Sequence, residues 1–200
     1  MNAKIITISR EFGSGGRSIG KLVAEQLGYA FYDKALVERI AKESGYAEDF
    51  IERRGEDATS KSSFLFNLSR SGGGGFDGMP AITDKLYVIQ YNTIKKLAEE
   101  SPCVIVGRCS DYILRNEPDA LHVFIHADAE FRARRIVEIY GERDNAPLKR
   151  VEEKDKKRQV YYKNYTGRIW GMSENFDLCL NSGKIGIEKC AEIIVGLAKK

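Results

Sequence analysis

The chain holds only two histidines, His122 and His126, and four cysteines with no C-x-x-C pair among them. A zinc site needs clustered sulfur, imidazole or carboxylate ligands at short spacing. Neither histidine has such neighbours, so both read as structural residues of a strand. The thiols of Cys103, Cys109, Cys179 and Cys190 read as free. No apolar run reaches the length of a membrane helix, and no secretory leader opens the chain. A cytoplasmic protein with no membrane partner is expected. Charge of one sign is also scarce: the net charge is only +3, which argues against a nucleic-acid binder.

The hydrophobic fraction of 42% is ordinary for a globular domain of 200 residues, so one domain spanning 1–200 is expected. The charge is unevenly placed. Between Arg132 and Arg168 stand 12 basic and 6 acidic side chains. A local basic segment in a near-neutral chain suits a polyphosphate, although a solvated helix face has the same signature.

The informative stretch is Ile5-Ile6-Thr7-Ile8-Ser9-Arg10-Glu11-Phe12-Gly13-Ser14-Gly15-Gly16-Arg17-Ser18-Ile19-Gly20. A β-branched run feeds a glycine-rich turn that opens into an amphipathic helix, the layout of a phosphate-binding loop. Glycines let the backbone curl so that N–H groups and the positive end of the helix face an anion. Gly13, Ser14, Gly15, Gly16, Arg17 and Ser18 are the expected phosphate ligands. The usual G-x-x-x-x-G-K-[ST] lysine is missing: read without a gap, Arg10 stands at the first glycine. Arg10 or Arg17 is left to supply the cation, and an arginine fork is not a lysine point charge.

Beyond the loop, strand-like and helix-like segments alternate. Strands are expected at Lys4–Ser9, Tyr29–Tyr32, Cys103–Gly107, Leu121–Ile125 and Phe176–Leu180. Helices are expected at Arg17–Leu27, Lys34–Glu43, Asp84–Glu99, from near Asp128 through Arg135, at Leu148–Tyr165 and at Ile187–Ala198. Residues 55–82 lack periodicity, and Ser71–Gly78 followed by Pro80 reads as a mobile loop. The alternation predicts an α/β fold with a doubly wound, mostly parallel sheet of five strands. Tyr161, Tyr162, Tyr165 and Trp170 interleave with basic residues; they suit helix packing better than base stacking.

The chain resembles the cytidylate kinase-like family of P-loop nucleoside monophosphate kinases. The resemblance rests on Ile8-Ser9-Arg10-Glu11-Phe12-Gly13-Ser14-Gly15-Gly16, Ile19-Gly20, Leu27-Gly28 and Tyr32-Asp33-Lys34. It continues in Val104-Ile105-Val106-Gly107-Arg108-Cys109-Ser110-Asp111-Tyr112, in Asp155-Lys156-Lys157-Arg158 with Tyr161-Tyr162, and in Trp170 and Asn175-Phe176-Asp177-Leu178.

The resemblance implies ATP and Mg²⁺ as cofactors and a small-molecule nucleotide acceptor, CMP or dCMP. It implies that Gly13–Ser18 hold the donor phosphates, with Ser18 near Mg²⁺ where the family has a threonine. Asp33, Arg39 and Arg108 fall on the acceptor side, with Asp111 close to the position where true cytidylate kinases carry Asp after Gly-Arg; Cys109 stands there instead. Residues 34–83 match an acceptor-binding insertion and 140–168 a lid, whose arginines close over the transferring group. Arg17, Arg135 and Arg158 are the expected catalytic cations. A kinase of another small metabolite and a non-catalytic nucleotide sensor both remain open at this point.

Overall fold

The computed structural model describes residues 2–54 and 82–199. Strand β1 (Ile5–Arg10) is β-branched almost throughout and buried on both faces, as a central strand of a parallel sheet must be. It pairs with β3 (Cys103–Val106) on one side, Ile5 opposite Cys103. On the other it pairs with β4 (Ala120–His126), Ile5 opposite Ala120 and Arg10 opposite Ile125. Strands β2 (Ala30–Tyr32) and β5 (Leu178–Asn181) flank these, giving an all-parallel sheet in the order β2-β3-β1-β4-β5.

Both faces are covered by helices. Helix α1 (Gly16–Leu27) packs with α9 (Ile187–Ala198) on the face formed by Ile6, Ile8, Val104, Val106, Val123 and Ile125. Gly20 brings α1 close: a Cβ there would lie 3.1 Å from both Ile8 and Val106. On the opposite face, α2 (Lys34–Ser44), α3 (Glu48–Arg54) and α4 (Ile82–Glu100) bury Leu36, Ile40, Ile51, Ile94 and Leu97 against Ile5, Cys103 and Ile105. This is the doubly wound α/β architecture that the alternation predicts.

Four further helices are found among the described residues: α5 (Ser110–Ile113) after β3, α6 (Ala129–Tyr140) and α7 (Pro147–Thr166) between β4 and β5, and α8 (Ser182–Ile185) before α9. Three elements were not foreseen. Helix α3 lies in a polar stretch, and α5 and α8 are single turns too short to show a period. The last strand begins two residues later than expected. A 3₁₀ turn at Ser173–Asn175 precedes it. Phe176 then packs its ring 5.0 Å from that of Phe124. Asp177 exchanges hydrogen bonds with His122 of β4, its backbone N–H donating to the His122 carbonyl and its Oδ2 accepting from the His122 N–H. The mobile loop expected at Ser71–Gly78 lies outside the described residues.

The aromatic segment resolves in favour of packing. Tyr161 and Tyr162 are buried with Cys109 and are flanked by Tyr112, Tyr165 and Trp170, so they are not offered to a nucleic-acid base. Among the described residues no group of His, Cys, Asp and Glu could hold a metal unaided, and no helix is long and apolar enough to cross a membrane.

Candidate active site

The site is built where β1 and β3 end, which is where an open parallel sheet places its ligand crevice. The chain leaves β1 at Arg10 and turns through Gly13 (φ +83°) and Gly15 (φ +82°) into α1. Both glycines are required. Their left-handed torsions suit glycine, and a Cβ on Gly13 would sit 2.7 Å from the Arg132 carbonyl. Gly15 caps α1 without any side-chain hydrogen bond, and the first turn holds no acidic residue. The leading N–H groups of a helix have no intrahelical acceptor, so this end is electropositive and open to an anion.

Buried polar contacts hold the loop from beneath. Ser14 is fully buried; its hydroxyl donates to the Glu11 carbonyl at 2.9 Å, and its own carbonyl accepts from Ser182 Oγ at 2.5 Å. Its side chain therefore fixes the loop and leaves only backbone for a ligand. The Phe12 N–H donates to Asp155 Oδ1 at 2.8 Å, and the Phe12 carbonyl accepts from Arg132 Nη1 at 3.2 Å. Arg132 pairs in turn with Asp155 and, at 3.2 Å, with Glu11. Burial pushes the Glu11 carboxyl above its ordinary value despite the Ala127 N–H and Arg132 that oppose the shift. This clamp was not visible in sequence. Arg132 was one of several equivalent arginines, and Asp155 lies 143 residues from the backbone it holds.

Besides Arg132, three arginines approach the loop. The Arg10 side chain lines the crevice, and the Arg10 carbonyl accepts from Arg158 Nη1 at 2.9 Å. Arg17, half exposed, is drawn sideways into an ion pair with Asp33 at 2.5 Å. Arg135 reaches over from α6: its Nη2 donates to Ser18 Oγ at 2.9 Å, and its buried Nε has no hydrogen-bond partner among the described residues.

The crevice itself is an open cleft of 630 Å³. Among the described residues its walls carry eight cationic side chains, Arg10, Lys34, Arg108, Arg143, Arg150, Lys154, Lys157 and Arg158, against three acidic ones, Asp33, Asp144 and Glu153. That excess matches a ligand bearing several negative charges. Phe12 and Tyr140 stack across one wall at 6.0 Å, and the Arg158 guanidinium lies 5.7 Å from the Phe12 ring centre. Lys34, Lys154 and Lys157 were not foreseen as site residues, and Arg143 was covered only as one of the lid arginines that the resemblance implies.

On the far wall, β3 runs into Gly107-Arg108-Cys109, three successive residues with left-handed torsions (φ 74°, 61° and 56°). Left-handed arginine and cysteine cost about 1–2 kcal/mol each, and such strain gathers where a chain must aim a side chain. The turn is held by Gln90 Nε2 donating to the Arg108 carbonyl at 2.9 Å, and it delivers Arg108 to the cleft.

Asp33 and Arg108 thus meet in one cleft with Arg10 and Arg158. Two expected acceptor-side residues are placed elsewhere. Arg39 makes a bidentate ion pair with Glu100 at 2.6 and 3.0 Å and faces Glu43; it stands on the outer face of α2, outside the cleft lining. Asp111 is buried, with Ser9 Oγ donating to Oδ1 at 3.1 Å and Tyr162 Oη donating to Oδ2 at 2.6 Å. Burial pushes its carboxyl up, opposed by those two donors and by His122. It ties α7 to the Arg108 turn and does not line the cleft. His122 is a partly buried structural residue of β4, its Nδ1 within 2.8 Å of Thr7 Oγ1 and its pKa lowered by burial.

Comparison with known proteins agrees with this geometry. The chain is 32% identical over 198 residues to a cytidylate kinase from Archaeoglobus fulgidus, covering 95% of this chain and 92% of that one. It is similar to the crystal structure of an uncharacterized protein from Eubacterium ventriosum, at 27% identity and a TM-score of 0.73 with 98% of both chains covered. A shikimate kinase from Bacteroides thetaiotaomicron shares the fold at 16% identity and a TM-score of 0.55, again over 98% of both chains. The model of the cytidylate kinase-like family matches residues 5–184. The glycine loop, the parallel sheet behind it and this match together show that the chain belongs to the cytidylate kinase-like family, a kinase family on the P-loop fold.

Proposed function

We propose that the protein transfers the terminal phosphoryl group of ATP to a nucleoside monophosphate, with CMP or dCMP as acceptor. The observation that carries this is the single cleft, bounded by Arg10 and Phe12 at the start of the glycine loop, in which Arg108 and Asp33 stand among a surplus of cations. Kinship to the Archaeoglobus cytidylate kinase supports the choice of acceptor.

Phosphoryl transfer asks a protein for positioning and charge neutralisation more than for covalent chemistry. In this reading an acceptor phosphate oxygen attacks the terminal phosphorus of ATP, the bond to the bridging oxygen breaks, and ADP leaves. The backbone of Gly13–Ser18 cradles the donor phosphates. Arg108 grips the acceptor phosphate, and Asp33 accepts a hydrogen bond from the acceptor's base or sugar. Arg158 in the cleft wall, with Arg17 and Arg135 once they leave Asp33 and Ser18, would neutralise the charge of the transferring group. The residues suit Mg²⁺ carried in with the nucleotide: Ser18 Oγ at the start of α1 is the hydroxyl that would ligate it, once released by Arg135. Bound there, the ion supplies Lewis-acid neutralisation of donor phosphate oxygens.

Residues 140–168 serve as the lid in this scheme, and the segment from residue 34 serves as the acceptor wall. Closing the first over the second would exclude water from the cleft.

The test is ADP release from Mg²⁺–ATP with CMP, dCMP, UMP, shikimate and gluconate, run beside Arg108→Ala. CMP- or dCMP-dependent turnover that Arg108→Ala loses supports the proposal. Turnover with a non-nucleotide acceptor alone replaces the acceptor. ATP binding without transfer to any of them makes the protein a nucleotide sensor.

A further inference from the structure

We infer that Arg10 replaces the missing lysine of the phosphate loop, and that residue 16 is glycine so that the Arg10 stem can lie where a lysine stem would begin. The inference rests on the nucleotide-phosphate reading of the loop.

Aligned without a gap, G-x-x-x-x-G-K-x-[ST] sets the first glycine on Arg10, the second on Gly15 and the lysine on Gly16. The chain thus differs from the pattern at two positions, and the two differences are reciprocal. One position loses a glycine and gains a cation; the other loses a cation and gains a glycine.

The structure ties the two together. Gly16 opens α1 without the left-handed torsion of Gly13 and Gly15, so its backbone does not call for glycine. In a helix glycine is disfavoured by about 1 kcal/mol against alanine. What excludes a side chain is Arg10: a Cβ on residue 16 would lie 2.5 Å from Arg10 Cβ and 3.0 Å from Arg10 Cγ. No lysine enters at 16 while an arginine stands at 10. Conversely, Arg10 ends β1 in ordinary extended backbone opposite Ile125, where glycine is not needed. Its side chain lines the cleft beside Arg108 and Arg158.

Two further arginines, Arg17 and Arg135, stand beside the loop. Arg17 is paired with Asp33 at 2.5 Å, and Arg135 donates to Ser18 Oγ at 2.9 Å. Arg10 is the cation whose stem crosses the loop itself. Its planar fork can take two phosphate oxygens at once, where a lysine offers one compact charge.

The test is a reciprocal exchange. Binding of Mg²⁺–ATP and of inorganic tripolyphosphate is measured by calorimetry for the wild type, Arg10→Ala, Gly16→Lys, the double variant Arg10→Gly/Gly16→Lys and Arg135→Ala. Thermal unfolding is followed on each. Arg10→Ala is expected to weaken both ligands about 10- to 100-fold, the worth of a charge-assisted contact. Gly16→Lys is expected to lower the unfolding temperature or weaken binding, because its stem collides with Arg10. The double variant is expected to recover binding to within about threefold of wild type, a coupling that independent positions would not show.

A double variant that folds and binds no better than Arg10→Ala overturns the inference. So does an Arg10→Ala variant that binds as wild type does, in particular where Arg135→Ala is the one that loses binding. If Gly16→Lys does not fold, its rescue in the double variant supports the steric half, and Arg10→Ala decides the electrostatic half. A folded wild type that binds neither ligand overturns the nucleotide reading and this inference with it.

Discussion

Arg132 and Asp155 form a buried ion pair that grips the backbone of Phe12 from both sides, the guanidinium on its carbonyl and the carboxylate on its N–H. The pair joins α6 and α7 to the phosphate loop. Removing Asp155 leaves the buried Arg132 with Glu11 alone, and removing Arg132 leaves Asp155 and Glu11 buried without it; breaking such a pair costs up to about 3–5 kcal/mol. Urea unfolding of Arg132→Met and of Asp155→Ala should show that loss in each, while Arg132→Met/Asp155→Leu should recover much of it. Equal stability of all three variants would mean that the pair contributes nothing.

At Arg108 stability and activity should part company. Glycine relieves the left-handed torsion at φ 61° and should raise stability by about 1 kcal/mol. It also removes the guanidinium proposed to hold the acceptor, so acceptor-dependent turnover should fall about 100-fold or more. Thermal unfolding and ADP release on Arg108→Gly check the two signs together. A variant both less stable and fully active contradicts both halves.

Stability should also fall with rising pH across the acid range because of Asp111. Burial raises its pKa in the folded state, so the folded protein keeps that proton longer than the unfolded chain. Between the unfolded value of about 4 and the higher folded value, each rise in pH favours unfolding. Glu11 is shifted in the same direction, whereas Glu100, held low by Arg39, acts oppositely at lower pH. Asp111→Asn can still bond Ser9 and Tyr162, and its stability should change less steeply than wild type between about pH 4 and 7. Urea midpoints that run parallel in the two proteins would count against a buried, proton-retaining Asp111.

Arg39 gives the contrasting prediction. Its guanidinium is engaged by Glu100 and Glu43 on the outer face of α2. Arg39→Ala should leave the KM for the acceptor within about twofold of wild type. A large rise in KM would show that Arg39 leaves Glu100 and swings to the acceptor during turnover.

What could be read from sequence was what is local in sequence. β1, the glycine turn and α1 are contiguous, so periodicity and glycine spacing sufficed to place the phosphate loop. Arg108 was legible because a residue that ends a buried strand falls in the crevice. Arg39 was ambiguous, since one helical residue with a charge looks alike whether it meets a ligand or Glu100. Asp111 misled for a different reason. Its burial is set by Tyr162, 51 residues away on α7, and one-dimensional patterning carries no trace of that contact. The exchange between positions 10 and 16 lay in plain view as two departures from a motif, and only the 2.5 Å approach made them one event.

The central place of β1 has a consequence for how the protein is made. Ile5-Ile6-Thr7-Ile8 are made about a hundred residues before their partners on either side, Cys103–Val106 and Ala120–Val123. At about 5–20 residues per second, this sticky segment waits several seconds for its neighbours, and the loops to be closed span about a hundred residues. Nascent chains cut short before Cys103 should therefore need a chaperone to stay in solution, and the phosphate loop at the end of β1 can take its shape only after β3 and β4 have been synthesised.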